Sequence, residues 1–173
     1  GVQTCALPIS GAVWGRHWAS HGYACVHLQN RGSDDELWQQ HAAPLHNMRA
    51  AMNAENWMAR ARDVSFAIDR LEALHREGDA AGSSLDLTRI GMAGHSFGAG
   101  TVLAVCGQRP VSLPEGAAPY ADPRIRAGLA FSPSVVRNAD PAMLYGGIHL
   151  PVFCITGTRD DSPISDTKAH HRR

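Results

Sequence analysis

The sequence contains almost no lysine and carries no net charge. Lys168 is the only lysine, and 16 basic residues balance 16 acidic residues. This balance excludes the broad cationic surface of a general nucleic-acid-binding protein. No apolar run reaches the roughly 18 residues that a membrane-spanning helix requires, so no membrane span is expected. The apolar content of 44% excludes a disordered chain, and 173 residues are enough for a domain with a hydrophobic core.

The first nine residues lack the features of a folded or a targeting segment. The stretch 1–9, GVQTCALPI, has no charge, no clear hydrophobic period and no signal-peptide pattern. The DNA string GGA GTT CAG ACG TGT GCT CTT CCG ATC, found in a common short-read sequencing adapter, translates to these nine residues. We therefore interpret 1–9 as an adapter scar that precedes 10–173, a fragment of a single domain, and exclude it from the predicted fold. An ordinary N-terminal strand is the alternative.

Strands and helices alternate along the rest of the chain. Apolar residues three and four apart predict a helix over Asn56–Arg76, with Arg60 on one of its polar faces. Apolar runs bounded by turn residues predict the strands Tyr23–Leu28, Leu87–Ala93, Ile125–Phe131 and Pro151–Thr156. A helix end at Trp14–Ser20, an irregular helix over Glu36–Asn53 with a break at Pro44, a loop at Gly78–Ser84 and a helix of small residues at Phe97–Cys106 complete the pattern. This alternation predicts an α/β fold, with a mostly parallel sheet and helices on both of its faces.

The motif with the clearest chemical meaning is Gly94-His95-Ser96-Phe97-Gly98, a G-x-S-x-G pattern between a predicted strand and a predicted helix. A sharp turn at this place lifts the Ser96 hydroxyl above the sheet, and the two glycines remove side chains that would clash. The backbone N–H of Phe97 is the expected oxyanion donor, and the helix N-terminus favours developing negative charge. These features predict a nucleophilic serine.

The partners of this serine must come from other parts of the chain. His95 adjoins Ser96, but neighbours on a strained turn point in different directions, so we expect His95 to pack or hydrogen-bond beneath the turn. Asp160 follows the strand Pro151–Thr156, at the edge where a carboxylate can orient a histidine. Asp161 is the alternative acid.

These residues resemble the α/β-hydrolase superfamily, and more narrowly the bacterial predicted dienelactone-hydrolase, chlorophyllase and platelet-activating-factor-acetylhydrolase-like group. The resemblance implies hydrolysis of a small-molecule carboxylic ester through an acyl-serine intermediate, without a cofactor. His17 and His21 lie four apart but lack a third ligand, so no metal site is expected. The matching segments are 17–23, 26–29 with 32–34, 62–66, 89–99 and 156–163.

Two parts of the family pattern are missing from the sequence. In the family the catalytic histidine follows the acid by several tens of residues, whereas His170 and His171 follow Asp160 by about ten. The resemblance therefore implies a catalytic histidine beyond Arg173, an oxyanion loop before Ser10, and a missing strand beside Tyr23–Leu28. We expect a partial α/β-hydrolase fold without the N-terminal strands and the C-terminal histidine segment.

Without the base and the second oxyanion donor, we expect the chain to be close to inactive. Two alternatives remain open. A non-catalytic hydrolase-like binding or scaffold protein would keep the fold and lack the histidine altogether. A thioesterase or acyltransferase would use the same residues as an esterase.

Overall fold

Strands and helices alternate in the computed structural model, which describes residues 2–5, 11–30, 44–110, 120–136, 138–162 and 168. The strands are β1 (Val2–Cys5), β2 (Val26–Leu28), β3 (Ile90–His95), β4 (Ile125–Phe131) and β5 (Val152–Ile155). The helices are α1 (Ala12–Ala19), α2 (Pro44–Ala51), α3 (Ala54–Arg76), α4 (Ala80–Ser83), α5 (Phe97–Val105) and α6 (Pro141–Tyr145). The predicted α/β class is confirmed.

The strands form one parallel sheet in the order β2-β1-β3-β4-β5, so that β1 is an interior strand. Val2 pairs with Val26 of β2 on one side and with Met92 of β3 on the other. The sequence predicts that 1–9 lies outside the fold and that the neighbour of Tyr23–Leu28 is missing. In the structure, β1 fills this place, and its position satisfies backbone groups of β2 and β3 that a gap would leave unpaired.

The alternative interpretation of the N-terminus, an ordinary strand, thus describes the structure of 2–5. The adapter origin of the nine codons is a separate matter and stays a prediction. Resequencing the source DNA with different adapters tests it, because an adapter scar would disappear whereas genuine codons would persist.

Most predicted elements are present, with boundaries that differ by a few residues. The predicted strand Ile125–Phe131 is β4 without change, and the helix predicted over Asn56–Arg76 is α3. α3 begins two residues earlier because Asn53 caps it, accepting a hydrogen bond from the backbone N–H of Asn56 at 2.9 Å. The predicted loop Gly78–Ser84 contains the short helix α4, and α6 was not predicted.

The region Glu36–Asn53 is described only from residue 44 onwards, where α2 begins at Pro44. The break predicted at this proline is therefore a helix start, which fits proline because the first N–H of a helix needs no intrahelical partner. The part of the predicted irregular helix before Pro44 lies outside the described residues.

The apolar stripe of α3 forms the centre of the core, as its spacing predicts. Ala61, Val64 and Ile68 are buried in one cluster with the interior faces of β3, β4 and α5. Arg60 is the exception to the predicted pattern. It is 0% exposed and lies in the core, so the prediction that it occupies a polar face of the helix is wrong.

Helices cover both faces of the sheet. A side chain added at Gly128 of β4 would contact Cys106 and Val102, so this face of the strand packs against α5. Phe131 lies three positions further along and points to the opposite face, where the Trp14 ring of α1 stacks on it at 5.4 Å. The predicted two-sided arrangement is thus present at β4.

The apolar surroundings of Cys25, Cys106 and Cys154 in the sequence predict three core thiols, and the structure confirms this for Cys106 alone. Cys106 is buried, and burial raises the pKa of its thiol to about 12. Cys25 is half-buried and Cys154 is exposed on β5, which is the edge strand of the sheet. The apolar run around Cys154 therefore belongs to an edge strand instead of a buried one.

In the parts of the chain described here, no helix combines the length and the apolarity needed to cross a bilayer.

Candidate active site

Ser96 occupies the sharp turn between β3 and α5, as the G-x-S-x-G motif predicts. Its backbone has φ 55° and ψ −113°, a conformation that residues other than glycine seldom adopt. The turn is fixed on both sides: the Ser96 N–H donates to the Phe131 carbonyl at 2.9 Å, and the Ser96 carbonyl accepts from the Ala99 N–H at 3.0 Å. Such strain persists only where the surrounding structure enforces it, and it is frequent at functional sites.

The two glycines of the motif are both buried. Gly94 lies in β3, between Thr4 of β1 and Ala130 of β4, and Gly98 lies in the first turn of α5. The role that the motif assigns to them, the removal of side chains beside Ser96, stays a prediction.

Phe97 is the first residue of α5, and its side chain is 8% exposed. The first N–H groups of a helix have no intrahelical partners, so no hydrogen bond within α5 uses the Phe97 N–H. The helix N-terminus also carries partial positive charge. Phe97 thus lies at the helix position that the predicted oxyanion donor requires, and the role itself stays a prediction.

Asp160 and Asp161 differ in their surroundings, although the sequence leaves both open as the acid. Asp160 is half-buried after β5, and its carboxylate accepts a hydrogen bond from the Thr156 hydroxyl at 2.8 Å. Asp161 is exposed and forms an ion pair with Lys168 at 3.5 Å. The more enclosed and oriented carboxylate is that of Asp160, which makes it the better candidate for holding a histidine.

The strands β3, β4 and β5 are neighbours in the sheet, and their ends lie side by side. Ser96 follows β3 and Asp160 follows β5, so one strand, β4, lies between them. Two strand spacings are about 10 Å, a width that an imidazole ring can bridge with a hydrogen bond on each side. The Ser132 N–H donates to the Ile155 carbonyl at 2.8 Å and continues the ladder beyond the strands. The backbone pairing of β4 with β5 thus extends to the first residue after β4.

No described residue occupies the position of the base. Within the described part of the chain, the Ser96 hydroxyl has no hydrogen-bond partner, and the buried Nδ1 of His95 has none either. His95 is half-buried at the end of β3, and no hydrogen bond joins it to the Ser96 hydroxyl in the described residues. Its packing beneath the turn stays a prediction. His170 and His171 lie outside the described residues.

His17 of α1 and His21, two residues beyond the end of this helix, interact with each other. The rings of His17 and His21 are 4.5 Å apart, and the His21 Nδ1 lies 2.9 Å from the His17 carbonyl oxygen. Among the residues that the structure describes, no group of three or more potential ligands could hold a metal ion.

A cavity of about 940 Å³ lies where the strands of the sheet begin, whereas Ser96 lies where β3 ends. Its lining includes Val26, Ile90 and Arg126, which stand at the beginnings of β2, β3 and β4. The chemistry predicted for Ser96 belongs to the other ends of these strands, so this cavity is not part of the candidate active site.

The sequence did not predict the contacts that Arg60 makes beside Ser96. Its guanidinium lies over the Phe97 ring, with Cζ 4.6 Å from the ring centroid, and its Nε donates to the Thr101 hydroxyl at 3.3 Å. A signal was present, because Arg60 lies three residues after Trp57 and four before Val64, on the stripe that faces the core. A charged residue on an otherwise apolar stripe indicates a buried polar contact.

No protein-family model matches the sequence, and no curated protein matches it. The residues around Ser96 are therefore the basis for assigning a function.

Proposed function

We propose that this chain carries the nucleophile, the acid and one oxyanion donor of a serine hydrolase with an α/β-hydrolase fold, and that it acts on carboxylic esters. The observation that carries this proposal is the positive φ of Ser96 at the junction of β3 and α5. A strained serine between a parallel strand and a helix N-terminus is the arrangement that such hydrolases use to present their nucleophile.

In the proposed reaction, the Ser96 oxygen attacks the ester carbonyl carbon and forms a tetrahedral intermediate. The Phe97 N–H stabilises the negative charge that develops on the carbonyl oxygen. The bond to the alcohol then breaks, and the proton from Ser96 passes through the base to the departing alkoxide. Water attacks the resulting acyl-serine by the same steps, which releases the acid and restores Ser96.

A histidine base completes this mechanism, and Asp160 is the residue that would orient it. The Thr156 hydroxyl donates to a carboxylate oxygen of Asp160 at 2.8 Å, which orients this carboxylate. A carboxylate so oriented is the group that accepts an imidazole Nδ1–H in a catalytic triad. We expect imidazole in solution to take the place of this histidine, because the ends of β3 and β5 are two strand spacings, about 10 Å, apart.

The test is the acylation of Ser96 by p-nitrophenyl acetate in the presence of imidazole. We expect a burst of p-nitrophenolate equal to one equivalent of folded chain, because acylation precedes the slower deacylation. Ser96→Ala should abolish the burst while leaving the slow background hydrolysis by imidazole itself.

Ser132→Ala is the matched control, because Ser132 also has a positive φ, of 51°, and follows the neighbouring strand β4. Its burst should equal that of the unchanged chain. A chain that folds but shows no burst, or an equal burst from Ser96→Ala, would favour the alternative of a non-catalytic binding protein.

A further inference from the structure

Two contacts connect a buried arginine to the residue that carries the proposed oxyanion donor. The Arg60 guanidinium lies over the Phe97 ring at 4.6 Å, within the range of a cation–π interaction. The Arg60 Nε also donates to the Thr101 hydroxyl at 3.3 Å, and this hydroxyl donates to the Phe97 carbonyl at 3.3 Å. Arg60 therefore contacts the side chain of Phe97 directly and is linked to its backbone carbonyl through the Thr101 hydroxyl.

The burial of these groups makes the contacts specific. Arg60 and Thr101 are both 0% exposed, and Phe97 is 8% exposed, so water does not compete for the hydrogen bonds. Burying a guanidinium is costly, and apolar residues of similar volume often serve stability equally well. An arginine on the core-facing stripe of α3 therefore calls for an explanation other than packing.

The long helix α3 is a rigid support for this arrangement. Its buried residues Val64 and Ile68 anchor it in the main hydrophobic cluster. A second polar contact ties it to the end of β2, where the Asn30 side chain donates to Asp63 at 2.9 Å. Arg60 extends from this fixed helix to the first turn of α5, in which the N–H of Phe97 must keep its direction.

From these contacts we propose that Arg60 is a positioning residue for the oxyanion donor: it holds the Phe97 ring and carbonyl so that the Phe97 N–H points to the developing oxyanion. This inference rests on the proposed function of Ser96. A displacement of the donor weakens the transition state more than the bound ester, because the negative charge exists only in the transition state.

Acylation by p-nitrophenyl acetate with imidazole tests this role, with R60M as the first variant. Methionine fills much of the arginine volume without charge or hydrogen bonds. We expect R60M to lower the maximal rate constant of the burst about tenfold or more, with little change in the ester concentration that gives half of this rate. R60K, which keeps a cation near the ring, should recover part of the loss.

R62M is the matched control, because Arg62 is an exposed residue of the same helix. It should acylate at the rate of the unchanged chain. A folded R60M that acylates at that same rate would overturn the proposal. If R60M does not fold, T101V decides in its place: this variant removes the hydroxyl between Arg60 and Phe97, and an unchanged burst rate constant would likewise overturn the role of Arg60.

The two proposals fail in different ways. If the unchanged chain gives no burst, the function proposed for Ser96 is wrong. If the unchanged chain gives the burst and the Arg60 and Thr101 variants match it, only the positioning role is wrong.

Discussion

Replacing Gly107 with alanine should lower the free energy of unfolding by about 3–5 kcal/mol, which is at the upper end of single-residue effects. Gly107 follows the C-cap of α5 and has a φ of +118°, a conformation that residues with a Cβ rarely adopt. An added Cβ would also overlap the Gly147 carbonyl oxygen and lie 3.3 Å from the Ile148 Cα. These are backbone atoms, so the clash cannot be relieved by a side-chain rotation.

Gly78→Ala is the control that separates the two causes. Gly78 also has a positive φ, of +72°, but a Cβ at this position would meet no atom within 4 Å. We therefore expect a cost of about 1 kcal/mol from the conformation alone. Urea unfolding followed by circular dichroism measures both variants. Equal losses at the two positions would show that the contact of Gly107 with Gly147 contributes nothing.

The second large effect concerns turnover without imidazole. Because no described residue serves as base for Ser96, the chain should hydrolyse p-nitrophenyl esters several orders of magnitude more slowly than a serine hydrolase with a complete triad. The loss of a triad member leaves only the catalysis that binding and the oxyanion donors provide, and a general base alone contributes about 10²- to 10⁴-fold.

Measuring steady-state turnover of a short p-nitrophenyl ester at a series of imidazole concentrations checks this prediction. The rate above the Ser96→Ala background should be near zero without imidazole and should rise as imidazole is added. Appreciable turnover of the chain in the absence of imidazole would contradict the prediction. It would mean that one of the histidines of the chain already acts as the base, and His170 and His171 are among the candidates.

The elements that the sequence predicted well have long or chemically distinctive patterns. The stripe of α3 repeats over several turns, so its position follows from periodicity alone. The turn at Ser96 follows from a motif whose glycines and strand–helix context have few other structural explanations. The positive φ of Ser96 confirms the predicted geometry of the turn. Its nucleophilic role stays a prediction.

The features that the sequence missed depend on contacts between distant segments. β1 has only four residues, too few for a period, and its interior place follows from pairing with β2 and β3. Arg60 lies on the core stripe, but its contacts require α5 to pack against α3. The apolar sequence of β5 predicts that Cys154 lies in the core. Cys154 is exposed because β5 is the edge strand of the sheet.

Mapping the acyl group to a residue tests the central claim most directly. After reaction with p-nitrophenyl acetate and imidazole, the chain is digested and its peptides are analysed by mass spectrometry, before and after hydroxylamine. Amides at Lys168, the only lysine, or at the N-terminus resist hydroxylamine, whereas a thioester on a cysteine such as the exposed Cys154 is cleaved. The acetyl group is therefore assigned by the peptide that carries it. We predict a hydroxylamine-labile acetyl group on the Ser96 hydroxyl. A labile acetyl group on another residue, with none on Ser96, would contradict the assignment of this serine as the nucleophile.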